Sequence, residues 1–170
     1  MIILLNGPLG IGKSTLAEAL VEHLEHSVML DGDKLIAVNP EPANPQEYLH
    51  LLLQSLVQHH KAAGYRHFVI DHLWRNPAEL NDLRHRLVDN DFHCFLLTLS
   101  ENENRQRIQR RAKARDINEL EYELRMNSEE RQVLERYRNG ELGEAFDVGA
   151  SVPELVADML RCISMSRSNI

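Results

Sequence analysis

The run Gly7-Pro8-Leu9-Gly10-Ile11-Gly12-Lys13-Ser14 carries the spacing G-x-x-x-x-G-K-[ST]. Glycines so placed let backbone N–H groups converge on an anion without Cβ clashes. The segment around Gly7, Leu9, Gly10, Ile11 and Gly12 is therefore expected to cradle phosphate oxygens. A helix starting at Lys13 would add unpaired first-turn donors and the positive end of its dipole. Lys13 would bridge the β- and γ-phosphates of a nucleoside triphosphate, and the Ser14 hydroxyl would ligate Mg²⁺. Thr15 could reach an α-phosphate oxygen.

Carboxylates must supply the rest of the chemistry. Asp31-Gly32-Asp33 follows the short apolar run Ser27 to Leu30. In extended chain, positions two apart share a face, so both carboxylates project to one side unless Gly32 turns the backbone. A carboxylate there can accept the proton of a substrate hydroxyl or hold Mg²⁺ through water. The same triplet reads equally as a turn with a helix N-cap. Asp71 ends the apolar run His67 to Ile70, the form of a Walker-B carboxylate ordering Mg²⁺-bound water beside Ser14; a plain strand-end aspartate looks the same. His72, Trp74 and Arg75 follow at the same edge. Together with Asp31 and Asp33 they are expected to line an acceptor pocket, where an aromatic wall and a cation suit a polar or anionic small molecule. Trp74 fits a core position as well as a pocket wall.

Arg105, Arg107, Arg110, Arg111, Lys113 and Arg115 place six of nineteen cationic residues within eleven positions, with no acid among them. The four-residue spacing of Arg107, Arg111 and Arg115 makes one stripe on a helix, suited to face an anion. The alternative is a solvated helix paired with the acids that follow, such as Arg115 with Glu119. Nine histidines are scattered; His23 with His26, and His59 with His60, lack a third ligand at metal spacing.

These groups need a scaffold that gathers them. Strand-like apolar runs at Ile2–Leu5, Ser27–Leu30, His67–Asp71, Phe92–Leu99 and Ala145–Val148 alternate with helical stretches at Lys13–Glu25, Glu47–Ala63, Pro77–Asp89, Glu101–Arg138 (broken near Asp116 to Asn118) and Val152–Ile163. Residues 37–46, with three of the six prolines, read as loop, and residues 164–170 as a frayed tail. Strands alternating with helices predict an α/β fold, a parallel sheet covered on both faces in three layers. Ligands in such sheets collect at the carboxyl ends of the strands, the edge where all the candidate residues fall.

With 170 residues the chain reads as a single domain able to bury a sufficient core alone. Its net charge of −7 argues against non-specific nucleic-acid or anionic-membrane binding. Two distant cysteines, Cys94 and Cys162, give no disulfide framework or zinc spacing. No apolar run nears the ~18 residues of a membrane span, and the start lacks a basic leader, so a cytoplasmic protein, monomer or weak dimer, is expected.

The strand, the GxxxxGKST loop, the helix and the Leu30-Asp31-Gly32-Asp33 segment together resemble the small P-loop kinases of the gluconate kinase and adenylylsulfate kinase type. The layout is also similar to shikimate kinase, the chloramphenicol phosphotransferase and the kinase domain of polynucleotide kinase. The resemblance covers nearly the whole chain, although the residues that name a substrate in each of these families are not recognisable. It implies a five-stranded sheet of order 2-3-1-4-5 and transfer of the ATP γ-phosphate, with Mg²⁺, to a hydroxyl of a small-molecule acceptor. It makes Asp33 the base or substrate anchor, and residues 101–117 a helical lid. In that lid Arg107 would lie near adenine, with Arg111 and Arg115 near phosphate. Residues 147–150 would pass the adenine. Lys13, Asp33 and Arg111 are then the catalytic candidates. A nucleotide or polynucleotide 5′-kinase, or a non-catalytic ATP-binding regulator, are the alternatives.

Overall fold

Alternation along the first strand builds both faces of the sheet. In β1 (Ile2–Asn6), Ile2 and Leu4 point into one apolar layer while Ile3 and Leu5 point into the other, and all four are fully buried. The computed structural model describes residues 1–112, 117–138 and 140–167. Along these run α1 (Lys13–His23), β2 (Ser27–Asp31), α2 (Gly32–Leu35), α3 (Pro45–Ala62), β3 (His67–Asp71) and α4 (Pro77–Leu87). β4 (Phe92–Thr98), α5 (Glu101–Ala112), α6 (Ile117–Leu134), β5 (Glu144–Asp147) and α7 (Val152–Arg167) complete the order. All four strand pairings are parallel, in the order β2-β3-β1-β4-β5. This is the three-layer α/β arrangement and the strand order that the sequence and its resemblance imply.

Helices α1 and α7 cover one face through Leu16, Ala17, Leu20, Val156 and Met159. Helices α3 and α4 cover the other through Leu49, Leu53, Val57, Leu83 and Leu87. Both α3 and α4 begin at an Asn-Pro pair. The Asn44 and Asn76 side chains accept from the backbone N–H groups of Glu47 and Glu79, and the following proline pre-sets the first turn. Gly64, at φ 96°, lies just beyond α3 where a left-handed residue ends a helix cheaply.

Helix α1 ends at His23 and α6 at Leu134, earlier than expected, and three further departures have a local cause. Helix α3 starts at Pro45, shortening the 37–46 loop, because the Asn44 cap and Pro45 favour a helix start more than prolines alone suggest. The backbone turns at Gly32 into the four-residue α2, capped by Asp31. Helix α7 runs on to Arg167 rather than fraying after Ile163; Ser164 and Ser166 return hydrogen bonds to the carbonyls of Arg161 and Cys162. Of the break expected near Asp116 to Asn118, Ile117 and Asn118 belong to α6, and residues 113–116 lie outside the described residues.

Candidate active site

The phosphate loop leaves β1 and closes on α1, with Gly10 at φ 75° and Gly12, the N-cap of α1, at φ 107°. L-residues avoid this region, so the glycines are required by the path of the chain. A Cβ on Gly10 would collide with Ile108 of α5, which closes over the loop. The loop is held from both sides. Below, the buried Asn6 carboxamide donates to the carbonyls of Trp74 and Leu142, each at 3.1 Å. Its Oδ1 accepts from the N–H groups of Gly7 (2.9 Å) and Trp74 (3.0 Å). Above, Asn104 and Asn127 donate to the Leu9 carbonyl at 3.2 and 2.6 Å, and the Leu9 N–H donates to Glu130 at 2.6 Å. Arg131 braces both asparagines and the Leu99 carbonyl.

Asn6→Ala leaves the Gly7 and Trp74 N–H groups and the Trp74 carbonyl without their partner, and the Leu142 carbonyl with only the Cys94 thiol. At ~1–3 kcal/mol for each buried orphan, reduced by relaxation, a loss of about 3 kcal/mol in unfolding free energy is expected from urea denaturation. A change below about 0.5 kcal/mol would show that Asn6 does not hold the loop.

Lys13 donates to the carbonyls of Gly7 (2.8 Å) and Pro8 (3.3 Å). Burial pulls its pKa below the ordinary lysine value, opposed by the nearby carboxylates of Asp33, Glu130 and Asp71. The Ser14 hydroxyl donates to Asp71 at 2.7 Å. Asp71 is 3% exposed, and its other oxygen, Oδ1, is buried with no hydrogen-bond partner. Burial pushes its carboxyl above the usual carboxylate range. Paired oxygen donors, one of them unused, fit a hard cation such as Mg²⁺ that keeps several waters. Among the described residues no group of three or more His, Cys, Asp or Glu gathers as a metal site, so such a cation would rely on phosphate oxygens for further ligands.

The two acids of the Asp-Gly-Asp triplet do not share a face, because the backbone turns at Gly32 into α2, which Asp31 caps and in whose first turn Asp33 lies. Asp31 accepts from the Lys34 N–H and pairs with its ammonium at 2.9 Å, the cap role rather than a substrate contact in this conformation. Asp33 turns the other way and accepts from His72 Nδ1 at 2.8 Å. That bond, foremost, holds the Asp33 carboxyl below its ordinary range. The pairing depends on Gly32, where a Cβ would lie 2.8–2.9 Å from three His72 atoms. In Gly32→Ala the imidazole must shift. Catalytic turnover is expected to fall at least about tenfold with modest loss of thermal stability, as measured by steady-state rates and a melt; an unchanged rate would separate the Asp33–His72 pair from function.

Two cavities flank the loop. One, of about 270 Å³, is lined by Gly10, Gly12, Thr15, Arg107, Arg111 and Val148 among others. Arg107 donates to the carbonyls of Ile11 and Val148, and Arg111 pairs with Glu123 of α6 at 2.9 Å. The other cavity, of about 250 Å³, is lined by Leu9, Lys13, Asp33, Gln46, His72, Arg75 and Glu130 among others. The structure thus joins Lys13, Asp33, His72 and Arg75 in one cavity. It puts Thr15, Arg107 and Arg111 in another. Arg111 therefore does not share the cavity of Asp33. Trp74 is in neither: it is fully buried in the core layer of α3 and α4, edge-on to His72, because the chain after Asp71 turns its indole back under the sheet edge. The pocket-wall expectation for Trp74 is corrected accordingly. Arg115, with Lys113, lies outside the described residues.

Sequence reading passed over Asn6, Gln46, Asn104, Asn127 and Glu130. Asn6 alone had a local signal, a polar residue closing an apolar strand immediately before the first glycine. Burial pushes the Glu130 carboxyl up, yet nothing in its helical neighbourhood distinguishes it from the acids around it.

A glycine loop at the carboxyl edge of a parallel 2-3-1-4-5 sheet, roofed by two helices, defines a small P-loop domain. The sequence profile of the AAA domain family matches residues 2–135, and the chain belongs to that family. Its fold is shared with a gluconokinase from Sinorhizobium meliloti 1021, at 19% identity and TM-score 0.69, covering 98% of this chain and 93% of that one. The tunicamycin resistance protein of Deinococcus radiodurans is similar at 18% identity and TM-score 0.68, covering 95% and 94%. A sugar kinase from Janibacter sp. HTCC2649 follows at 15% identity and TM-score 0.66, covering 94% and 92%. No curated protein sequence matches the chain. No described helix is long and apolar enough to cross a membrane.

Proposed function

We propose that this chain transfers the γ-phosphate of ATP to a hydroxyl of a small-molecule acceptor. One observation carries the reading: the phosphate loop is the shared wall of two cavities, and the second contains Asp33 beside Lys13. ATP would lie with its base toward Arg107 and Val148 and its terminal phosphate toward Leu9 and Lys13. The acceptor would enter from the side of Asp33, His72 and Arg75.

In this reading the acceptor oxygen forms a bond to the γ-phosphorus as the bond to the bridging β–γ oxygen breaks, and ADP leaves. Asp33 Oδ1 is held by His72, leaving Oδ2 to accept the hydrogen bond of the attacking hydroxyl and finally its proton. A carboxylate of low basicity suffices because the transferred group passes through a loose transition state, which asks for alignment more than for early deprotonation. Lys13 exchanges its two loop carbonyls for phosphate oxygens, and the first-turn amides of α1 stabilise the growing negative charge. Ser14 and Asp71 would hold Mg²⁺, which neutralises charge on the β- and γ-phosphate oxygens when bound.

Two of the similar structures are a gluconokinase and a sugar kinase, which supports a kinase. Among the described residues lining the acceptor-side cavity none is Phe, Tyr or Trp, and its flat groups are limited to the His72 ring and the Arg75 guanidinium, which favours a compact polar acceptor over a nucleobase. The test is to incubate the protein with Mg²⁺, γ-³²P-ATP and a panel of sugars, sugar acids, amino sugars and nucleosides. Label in a sugar-class acceptor supports the reading. Label in a nucleoside favours a nucleotide kinase, and label in neither, with ATP bound, a regulatory protein.

A further inference from the structure

Helices α3 and α4 are joined by a polar chain that the proposed reaction does not use. His50 is 1% exposed, yet it is hydrogen-bonded at both ring nitrogens. Its Nδ1 lies 2.6 Å from Asp82 Oδ2, and its Nε2 lies 2.8 Å from the Gln46 amide nitrogen. Asp82 also accepts from Arg86 Nε at 2.7 Å. The bond from Arg86, then that from His50, keeps the Asp82 carboxyl below its usual range, so Asp82 is an acceptor only. His50 Nδ1 must therefore carry the proton. Burial lowers the His50 pKa, which favours the neutral ring, and its Nε2 is then a lone pair. That lone pair can be met only by the N–H side of the Gln46 amide. The polarity of the chain is fixed from one end to the other: Asp82 selects the His50 tautomer, and His50 selects the way round of Gln46.

The consequence falls in the second cavity. Gln46 lines it beside Lys13, Asp33 and Arg75. With its nitrogen held by His50, the carbonyl Oε1 remains, and among the described residues no hydrogen bond engages it. We propose that Gln46 is a specificity-determining residue of this cavity, offering Oε1 to an O–H or N–H donor of the acceptor, and that the buried His50, held by the partly exposed Asp82, is the positioning device that prevents the amide from presenting its nitrogen instead. This rests on the reading that the cavity holds the phosphate acceptor. An acceptor whose matching group is only a hydrogen-bond acceptor, such as a methyl ether in place of a hydroxyl, is rejected, because two lone pairs would then face each other across a desolvated contact.

The experiment measures steady-state kinetics of the full chain with whichever panel acceptor takes the ³²P label, alongside ¹⁵N NMR of the imidazole nitrogens. Gln46→Ala, at a half-buried position in the first turn of α3, is expected to raise the acceptor KM about tenfold, with kcat and the ATP KM within about twofold. Asp82→Asn, at a partly exposed position, frees the His50 tautomer and is expected to raise the same KM in the same direction, with an unchanged melting profile. Wild-type His50 is expected as the neutral Nδ1–H form at neutral pH. An Nε2–H or doubly protonated ring, or an acceptor KM unmoved by Gln46→Ala, would overturn the proposal while leaving the phosphotransfer reading intact. If no panel member takes the label, the reading of the cavity fails and the proposal falls with it.

Discussion

Asp33→Asn is expected to lower the phosphotransfer rate by about 10²–10⁴-fold, the usual contribution of a positioned proton acceptor. The substitution keeps the shape of the side chain, and its Oδ1 can still accept from His72, so the cavity should be preserved. What is lost is the negative charge and the oxygen that receives the hydroxyl proton; the amide nitrogen would instead face that hydroxyl with hydrogens. ATP affinity, set across the loop in the other cavity, should change less than about threefold. A single-turnover measurement separates the two effects. A rate within a factor of two of wild type would remove Asp33 from the chemistry. The pH dependence carries a sign of its own. Because the Asp33 carboxyl titrates below its ordinary range, the reactive ionised form persists as pH falls through the usual carboxylate range and is lost only below it. Removing the bond in His72→Ala should therefore move any acid limb of kcat/KM to higher pH.

Trp74→Ala is expected to cost about 3–5 kcal/mol of stability, the range for emptying a large aromatic site in a core. The indole is fully buried in the layer shared by Ile2, Leu4 and Phe68 of the sheet and Leu53 and Leu83 of the covering helices. Truncation leaves a void of most of a side chain, and the neighbours belong to rigid elements that cannot collapse far. Trp74→Phe should lose much less, since the indole N–H is buried without a partner and its removal is nearly free. Urea denaturation of both variants provides the check. A stable Trp74→Ala protein with a raised acceptor KM would return the indole to the cavity wall.

Much of the scaffold was legible because its signals are local. Apolar runs such as Ile2 to Leu5 mark strands buried on both faces, Asn-Pro pairs mark helix starts, and the glycine loop needs only eight consecutive residues. Which of Asp31 and Asp33 caps α2 and which lines the cavity was not decidable, since the choice turns on the close approach of Gly32 to His72, just beyond β3. Asn6 bonds groups 68 and 136 positions away, and Glu130 meets Leu9 across 121 positions, so neither role has a sequence pattern to read. The arginine stripe was visible as charge, but its division of labour was not. Arg107 spends its guanidinium on two backbone carbonyls and Arg111 on Glu123, contacts fixed by how α5 lies across the loop.

Isothermal titration calorimetry of ATP into the purified protein, with and without Mg²⁺, tests the central claim most directly. Heat that saturates at one nucleotide per chain, strengthens with Mg²⁺, and disappears in Lys13→Met is the result predicted for a loop that grips the triphosphate between its two cavities. Absence of heat with ATP under both conditions, or binding indifferent to Lys13, would contradict it.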